Sequence, residues 1–210
     1  MNTSALSQSR SQSRSRIRIG TATGTGTGTG LLLLTLLALP ASAHDKRLLR
    51  SLALEPAGLT LHVLASVRVP SGPTKSAMLA MADANHDGQL GPSERKGLED
   101  ALIARALGGM ILSVGTATRT LDGAESKLSI GDADSPIDLL IHGTVALPKS
   151  EASVRLTTKG SGESVDVEVL AGNRPVVQSS RGAPKKGTLK TVLGTTDAVV
   201  LRFSAYSATE

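Results

Sequence analysis

Leu59-Thr60-Leu61-His62-Val63-Leu64-Ala65-Ser66-Val67-Arg68-Val69 sets Leu59, Leu61, Val63, Ala65, Val67 and Val69 in alternation with Thr60, His62, Leu64, Ser66 and Arg68. A period of two is the pattern of a strand with one buried and one wetter face. The same signal returns downstream at Met110, Leu112 and Val114; at Ile137, Leu139, Ile141, Val145 and Leu147; at Val165, Val167 and Val169; and at Val199, Leu201 and Phe203. Weaker strand segments lie at Val154 to Thr158, Val176 to Gln178 and Leu189 to Leu193. Turn signals at Glu55-Pro56-Ala57-Gly58, Lys159-Gly160-Ser161-Gly162 and Arg181-Gly182-Ala183-Pro184 separate them. Many short strands at such spacing predict a mainly β, β-sandwich-like domain.

Between the first two strands the period changes. Pro73 to Ala82 reads as a short helix with Thr74 as N-cap and Met78, Met81 and Ala82 at helical spacing. A second helix starts at Pro92, carries Leu98, Ala101, Leu102 and Arg105 along one face, and stops at Gly108-Gly109. The twelve residues joining them are Asp83-Ala84-Asn85-His86-Asp87-Gly88-Gln89-Leu90-Gly91-Pro92-Ser93-Glu94. Asp83, Asn85 and Asp87 stand at alternate positions whose side chains can converge on one point. Gln89 offers its backbone carbonyl, Gly88 allows the sharp turn, and Glu94 can reach back with both carboxylate oxygens. Six to eight hard oxygens in a flexible shell suit Ca²⁺ better than the smaller, octahedral Mg²⁺. Gly91 has no side chain to hold the water usual at the ninth position, which points to the 10⁻⁴ to 10⁻³ M class of calcium modules.

Through Asp83, Asn85, Asp87, Gly88, Leu90 and Glu94, residues 73–108 resemble the EF-hand family. The resemblance implies one Ca²⁺ held by Asp83, Asn85, Asp87, Gln89 and Glu94, in a helix–loop–helix inserted into the β domain. EF-hands usually pair through the eighth loop position. No second loop is present for Leu90, so Leu90 is expected to pack on its own domain or on a second protomer. A lone hand disfavours a calcium-driven opening switch and favours a structural or partner-presenting role, with a protein partner or a homodimer as the wider context. Gly131-Asp132-Ala133-Asp134-Ser135-Pro136-Ile137-Asp138 begins acidic but places Pro136 and Ile137 where a ligand and a glycine belong, and reads as a turn.

The first forty-three residues have the grammar of a secretory signal peptide. Arg10, Arg14, Arg16 and Arg18 form a basic n-region, Leu31 to Leu39 a short apolar h-region, and Ala41-Ser42-Ala43 an A-x-A cleavage site. The apolar run is too short to span a membrane, so no membrane span is expected after cleavage. The expected location is secreted or periplasmic, with residues 44–210 as the working domain. That leader carries four of the twenty-three basic residues and none of the eighteen acids, so the formal charge of +5 becomes +1 without it. With little net charge, and Phe203 and Tyr206 as the only aromatics, nucleic-acid binding loses both of its usual supports. The chain has no cysteine, which removes disulfides, thiolate metal sites and thiol nucleophiles.

Cleavage after Ala43 would leave His44 at the N-terminus, where amine and imidazole together chelate Cu²⁺ or Ni²⁺. His62 and His142 fall on the less apolar faces of their strands and are candidates to extend such a site. An envelope copper- or nickel-handling protein is therefore the alternative reading. Ala43-His44-Asp45, the Leu59 to Val69 strand and Asp83 to Glu94 also resemble, in order, the envelope domains of nickel and cobalt permease-like proteins, which implies a soluble accessory domain. No nucleophile elbow, phosphate-cradling loop or zinc-protease helix motif is present, and the chain is not expected to be an enzyme.

Overall fold

A computed structural model of the chain describes residues 48–160 and 163–207. The expected signal peptide and His44 lie outside the described residues. The strands are β1 (Leu49–Ala57), β2 (Thr60–Val69), β3 (Met110–Val114), β4 (Ala117–Arg119), β5 (Asp122–Ile130), β6 (Ile137–Ala146), β7 (Ala152–Thr158), β8 (Val165–Val169), β9 (Val176–Ser179), β10 (Leu189–Leu193) and β11 (Ala198–Phe203). The helices α1 (Pro73–Ala82) and α2 (Pro92–Leu107) are inserted between β2 and β3. The fold is mainly β and sandwich-like, as the period-two segments predict.

One sheet has the order β10-β8-β1-β2-β6-β5 and the other β4-β3-β7-β11-β9. The register explains why alternation suffices to build the core. Val169, Leu54 and Val63 stand side by side across three strands, and Val167, Leu52, Ala65 and Ile141 form the next row. In the second sheet Leu112, Leu156 and Val199 align, beside Val114, Val154 and Leu201. All of these aliphatic side chains belong to one buried cluster, joined by Phe203. At about 1.5–3 kcal/mol for each fully buried large aliphatic side chain, these rows dominate the stability of the domain.

Three strands depart from the sequence expectation. β1 was not expected, and its Glu55-Pro56 lies within the strand rather than in a turn, with Pro56 facing Leu61. The turn is displaced to Gly58-Leu59, where Gly58 at φ +61° supplies the backbone needed at the first central position of a two-residue hairpin. β4 is exposed throughout, and β5 buries Leu128 alone, so neither carries a period-two signal.

The helices start and stop where expected, with different caps and faces. Thr74 is not the cap of α1: Gly72 takes that position and Pro73 opens the helix. Met81 is 79% exposed, and the buried residue of α1 is Lys75. In α2 the buried stripe is Leu98, Leu102 and Ala106, packed towards β2 and β6, whereas Ala101 and Arg105 face outward. Arg105 instead pairs with Glu163.

Two buried guanidinium groups tie distant segments together. Arg50 of β1 donates through Nη2 to Ala106 O and Gly108 O, both at 2.9 Å, which places a cation on the carbonyls at the C-terminal end of α2. Burial pushes its pKa below the usual arginine value, against the opposing pull of Glu163. Arg174, fully buried, donates to Ser204 O (2.9 Å), Pro148 O (2.7 Å) and Ser150 O (2.6 Å), with a longer contact to Gly58 O. Its fork thereby joins the β1–β2 hairpin, the β6–β7 connection and the chain after β11. No helix among the described residues is long and apolar enough to cross a membrane.

Candidate metal centre

The loop from Asp83 to Glu94 is built by its own side chains. Asp83 ends α1, its N–H donating to Leu79 O at 2.9 Å. The chain then turns through His86 at φ +59° and Gly88 at φ +80°, two left-handed residues that fold the loop back on itself. Gly88 is the cheap position for such a backbone; His86 is exposed and carries the strain that a non-glycine residue meets there.

The oxygen-bearing side chains turn inward onto loop amides. Asp83 accepts from Asp87 N through Oδ1 (3.2 Å) and from Gly88 N through Oδ2 (2.9 Å). Asn85 Oδ1 accepts from Asp87 N at 2.9 Å, and Asp87 Oδ1 from Gln89 N at 2.8 Å. These short-range bonds are Asx turns, the reason Asp and Asn suit such a bend. Asn85 Nδ2 also donates to Asp87 Oδ2 at 3.1 Å. Glu94, in the first turn of α2, does two things at once. Its Oε1 accepts from Ala84 N (2.9 Å) and Asn85 N (3.2 Å), and its Oε2 accepts from Gly91 N at 2.8 Å, the N-cap amide of α2.

The residues singled out from the sequence thus share one network, although their carboxylates are spent on amides rather than drawn together. Among the described residues no three His, Asp or Glu side chains gather into a cation cluster. The donor set still suits a hard dication. A carboxylate oxygen has two lone pairs, so one that accepts a single amide keeps another for a metal, whereas Glu94 Oε1, which accepts two, has to release one of them to ligate. Leu90 is partly buried against the domain's own core, the first of the two expected environments for it.

The helix that leads into the loop is also anchored from outside. Lys75, 4% exposed, sends its ammonium to Gly131 O (2.8 Å), Ser135 O (2.9 Å) and Asp132 O (2.5 Å) in the β5–β6 connection. The acidic segment 131–136 is a turn, as expected, and its backbone carbonyls hold this lysine. Sequence reasoning missed Lys75, because a lysine on a short helix gives no signal of burial. A groove of about 520 Å³ opens between α1 and α2, lined by Met78, Met81, Leu98, Ala101 and Glu94 among others. His62 and His142 are brought into contact on the outer face of the first sheet; His44 lies outside the described residues. A scan of protein-family models and a search of the curated proteins find no match to this chain, so the functional reading rests on its own residues.

Proposed function

We propose that this is a calcium-binding protein of the secreted or periplasmic space, in which one Ca²⁺ held by the 83–94 loop fixes the helix–loop–helix to the β-sandwich. Asp83, Asn85 and Asp87 would contribute side-chain oxygens, Gln89 its carbonyl, and Glu94 both carboxylate oxygens. Bound there, the ion would supply a point of positive charge that offsets the mutual repulsion of three carboxylates. The observation that carries the reading is the reach of Glu94: from the first turn of α2 it already touches the amides of Ala84 and Asn85 at the start of the loop. A bidentate ligand at the twelfth position has to make that span.

The role that fits is structural. α2 is docked through Leu98, Leu102 and Ala106, and a swinging motion would expose all three. Leu90 and Lys75 fix the rest of the unit to the same domain. Presentation of the α1–α2 surface to a protein partner, or to a second copy, is compatible with this arrangement.

Calorimetric titration with Ca²⁺ in excess Mg²⁺, together with thermal unfolding in calcium and in chelator, tests the proposal. Binding of one ion should raise the midpoint. At free Ca²⁺ of ten times Kd the gain is about 1.4 kcal/mol, or about 3–6 °C for a domain of this size. No binding heat and no shift would overturn it.

A further inference from the structure

The second feature that the sequence singled out and the calcium reading leaves unused is the histidine pair. His62 of β2 faces Thr144 of β6, and His142 of β6 faces Leu64 of β2, so the two histidines are diagonal neighbours on the outer face of the first sheet. His62 Nδ1 and His142 Nε2 stand 3.4 Å apart, with ring planes 19° from parallel and centroids separated by 5.6 Å.

That separation bears on two accounts of the pair, a long hydrogen bond and a shared metal ion. It is long for a hydrogen bond from a ring N–H, for which about 2.7–3.2 Å is usual. Two zinc–imidazole bonds of about 2.0–2.1 Å at a tetrahedral angle span about 3.3–3.4 Å between nitrogens. A right-angled pair, as in square-planar coordination, would need about 2.9 Å. The observed spacing matches the tetrahedral pair and is also within reach of a long ring N–H···N hydrogen bond.

We propose that His62 Nδ1 and His142 Nε2 form a two-imidazole site for a late first-row dication of tetrahedral preference, Zn²⁺ in the first instance, with solvent in the remaining positions. Both strands are internal to the six-stranded sheet, which holds the two ring positions on rigid backbone. Glu55 stands opposite His62 across β1–β2, and Glu125 opposite His142 across β5–β6, so a carboxylate flanks the pair on either side. Neither is gathered into a third ligand in this structure, and the site is accordingly open and exchangeable. Metal binding requires both facing nitrogens unprotonated, so in the bound form the ring protons belong on His62 Nε2 and His142 Nδ1.

The test uses the full chain saturated with Ca²⁺ and titrated with Zn²⁺, beside His62→Gln, His142→Gln, His44→Gln and His86→Gln. The expected result is one Zn²⁺ whose affinity falls at least tenfold in each of the first two variants and is unchanged in the last two. Zinc should shift the ring-nitrogen resonances of His62 Nδ1 and His142 Nε2, and the zinc-free thermal midpoints of those variants should match the parent. Absence of zinc binding, or binding that survives both substitutions, or binding lost only with His44 or His86, would overturn the proposal. The calcium loop shares no residue with this pair, so such a failure would leave the calcium reading untouched.

Discussion

Replacing Lys75 by methionine keeps most of the apolar stem and removes the ammonium that three backbone carbonyls share. A hydrogen bond to a charged group contributes about 1.5–3 kcal/mol, but the three bonds draw on a single charge and do not add. The 131–135 segment is largely exposed, so its carbonyls can recover water in the variant, which discounts the loss further. The expected destabilisation is about 2–3 kcal/mol, equivalent to a fall of about 4–12 °C in midpoint for a domain of this size. Urea unfolding in chelator should give a lower transition midpoint with unchanged slope, since no additional surface is exposed. Amide exchange should accelerate in α1 and in the 131–135 segment while β2 and β6 keep their protection. A stability change below about 0.5 kcal/mol, the size usual for surface substitutions, would refute the view that this cation fastens the helical insertion to the sheet.

Other perturbations reach different parts of the domain. Glu94→Gln leaves one acceptor oxygen for three amide donors, so the calcium-free chain should lose about 1 kcal/mol and calcium affinity should drop by an order of magnitude or more, read by calorimetry. Arg174→Met leaves the carbonyls of Pro148, Ser150 and Ser204 without their donor and should cost about 3–5 kcal/mol in urea unfolding; Arg174→Lys should recover only part of this, because an ammonium cannot reproduce the planar fork. The N–H of Gly194, and then Arg181, hold the Asp197 carboxyl below its ordinary 3.8. The stability this lends is present above the unfolded-state value and is lost as pH falls through the lower folded value. Acid titration of the folded fraction should therefore be less steep below about pH 4 in Asp197→Asn than in the parent.

The strands that could be read from the sequence are those that obey one rule, apolar inward and polar outward. β8 does so along its length, and β2 and β6 do so almost throughout, with Leu64 and Leu140 the large exceptions on the outer face. β1 escapes because Arg50 points inward, Leu49 points outward and Pro56 resembles a turn; the buried arginine is held through Nη2 alone, by carbonyls at the end of α2 that lie 56 and 58 residues away, while its Nε and Nη1 find no partner among the described residues. β5 escapes because it is an edge strand that buries almost nothing. The same contrast holds at the site. The candidate ligands of the loop lie within twelve residues and could be read from local spacing. Lys75, held by carbonyls 56 to 60 residues away, and the His62–His142 contact, set by β2–β6 register, needed the assembled sheet.

The placement of β1 between β2 and β8 governs the order in which the chain can fold. β2 is its hairpin neighbour and available at once, whereas β8 joins it in parallel, with Ser51 beside Asp166, only after most of the sequence has been made. Until then β1 offers an unpaired edge with Leu52 and Leu54 at its back, a template for the wrong strand. Closure of the sheet is a late, long-range event, and topology of this kind folds slowly. Nascent or truncated chains that stop before Val165 are therefore the species expected to aggregate. A chain that must stay open for a time after synthesis would gain from the same delay.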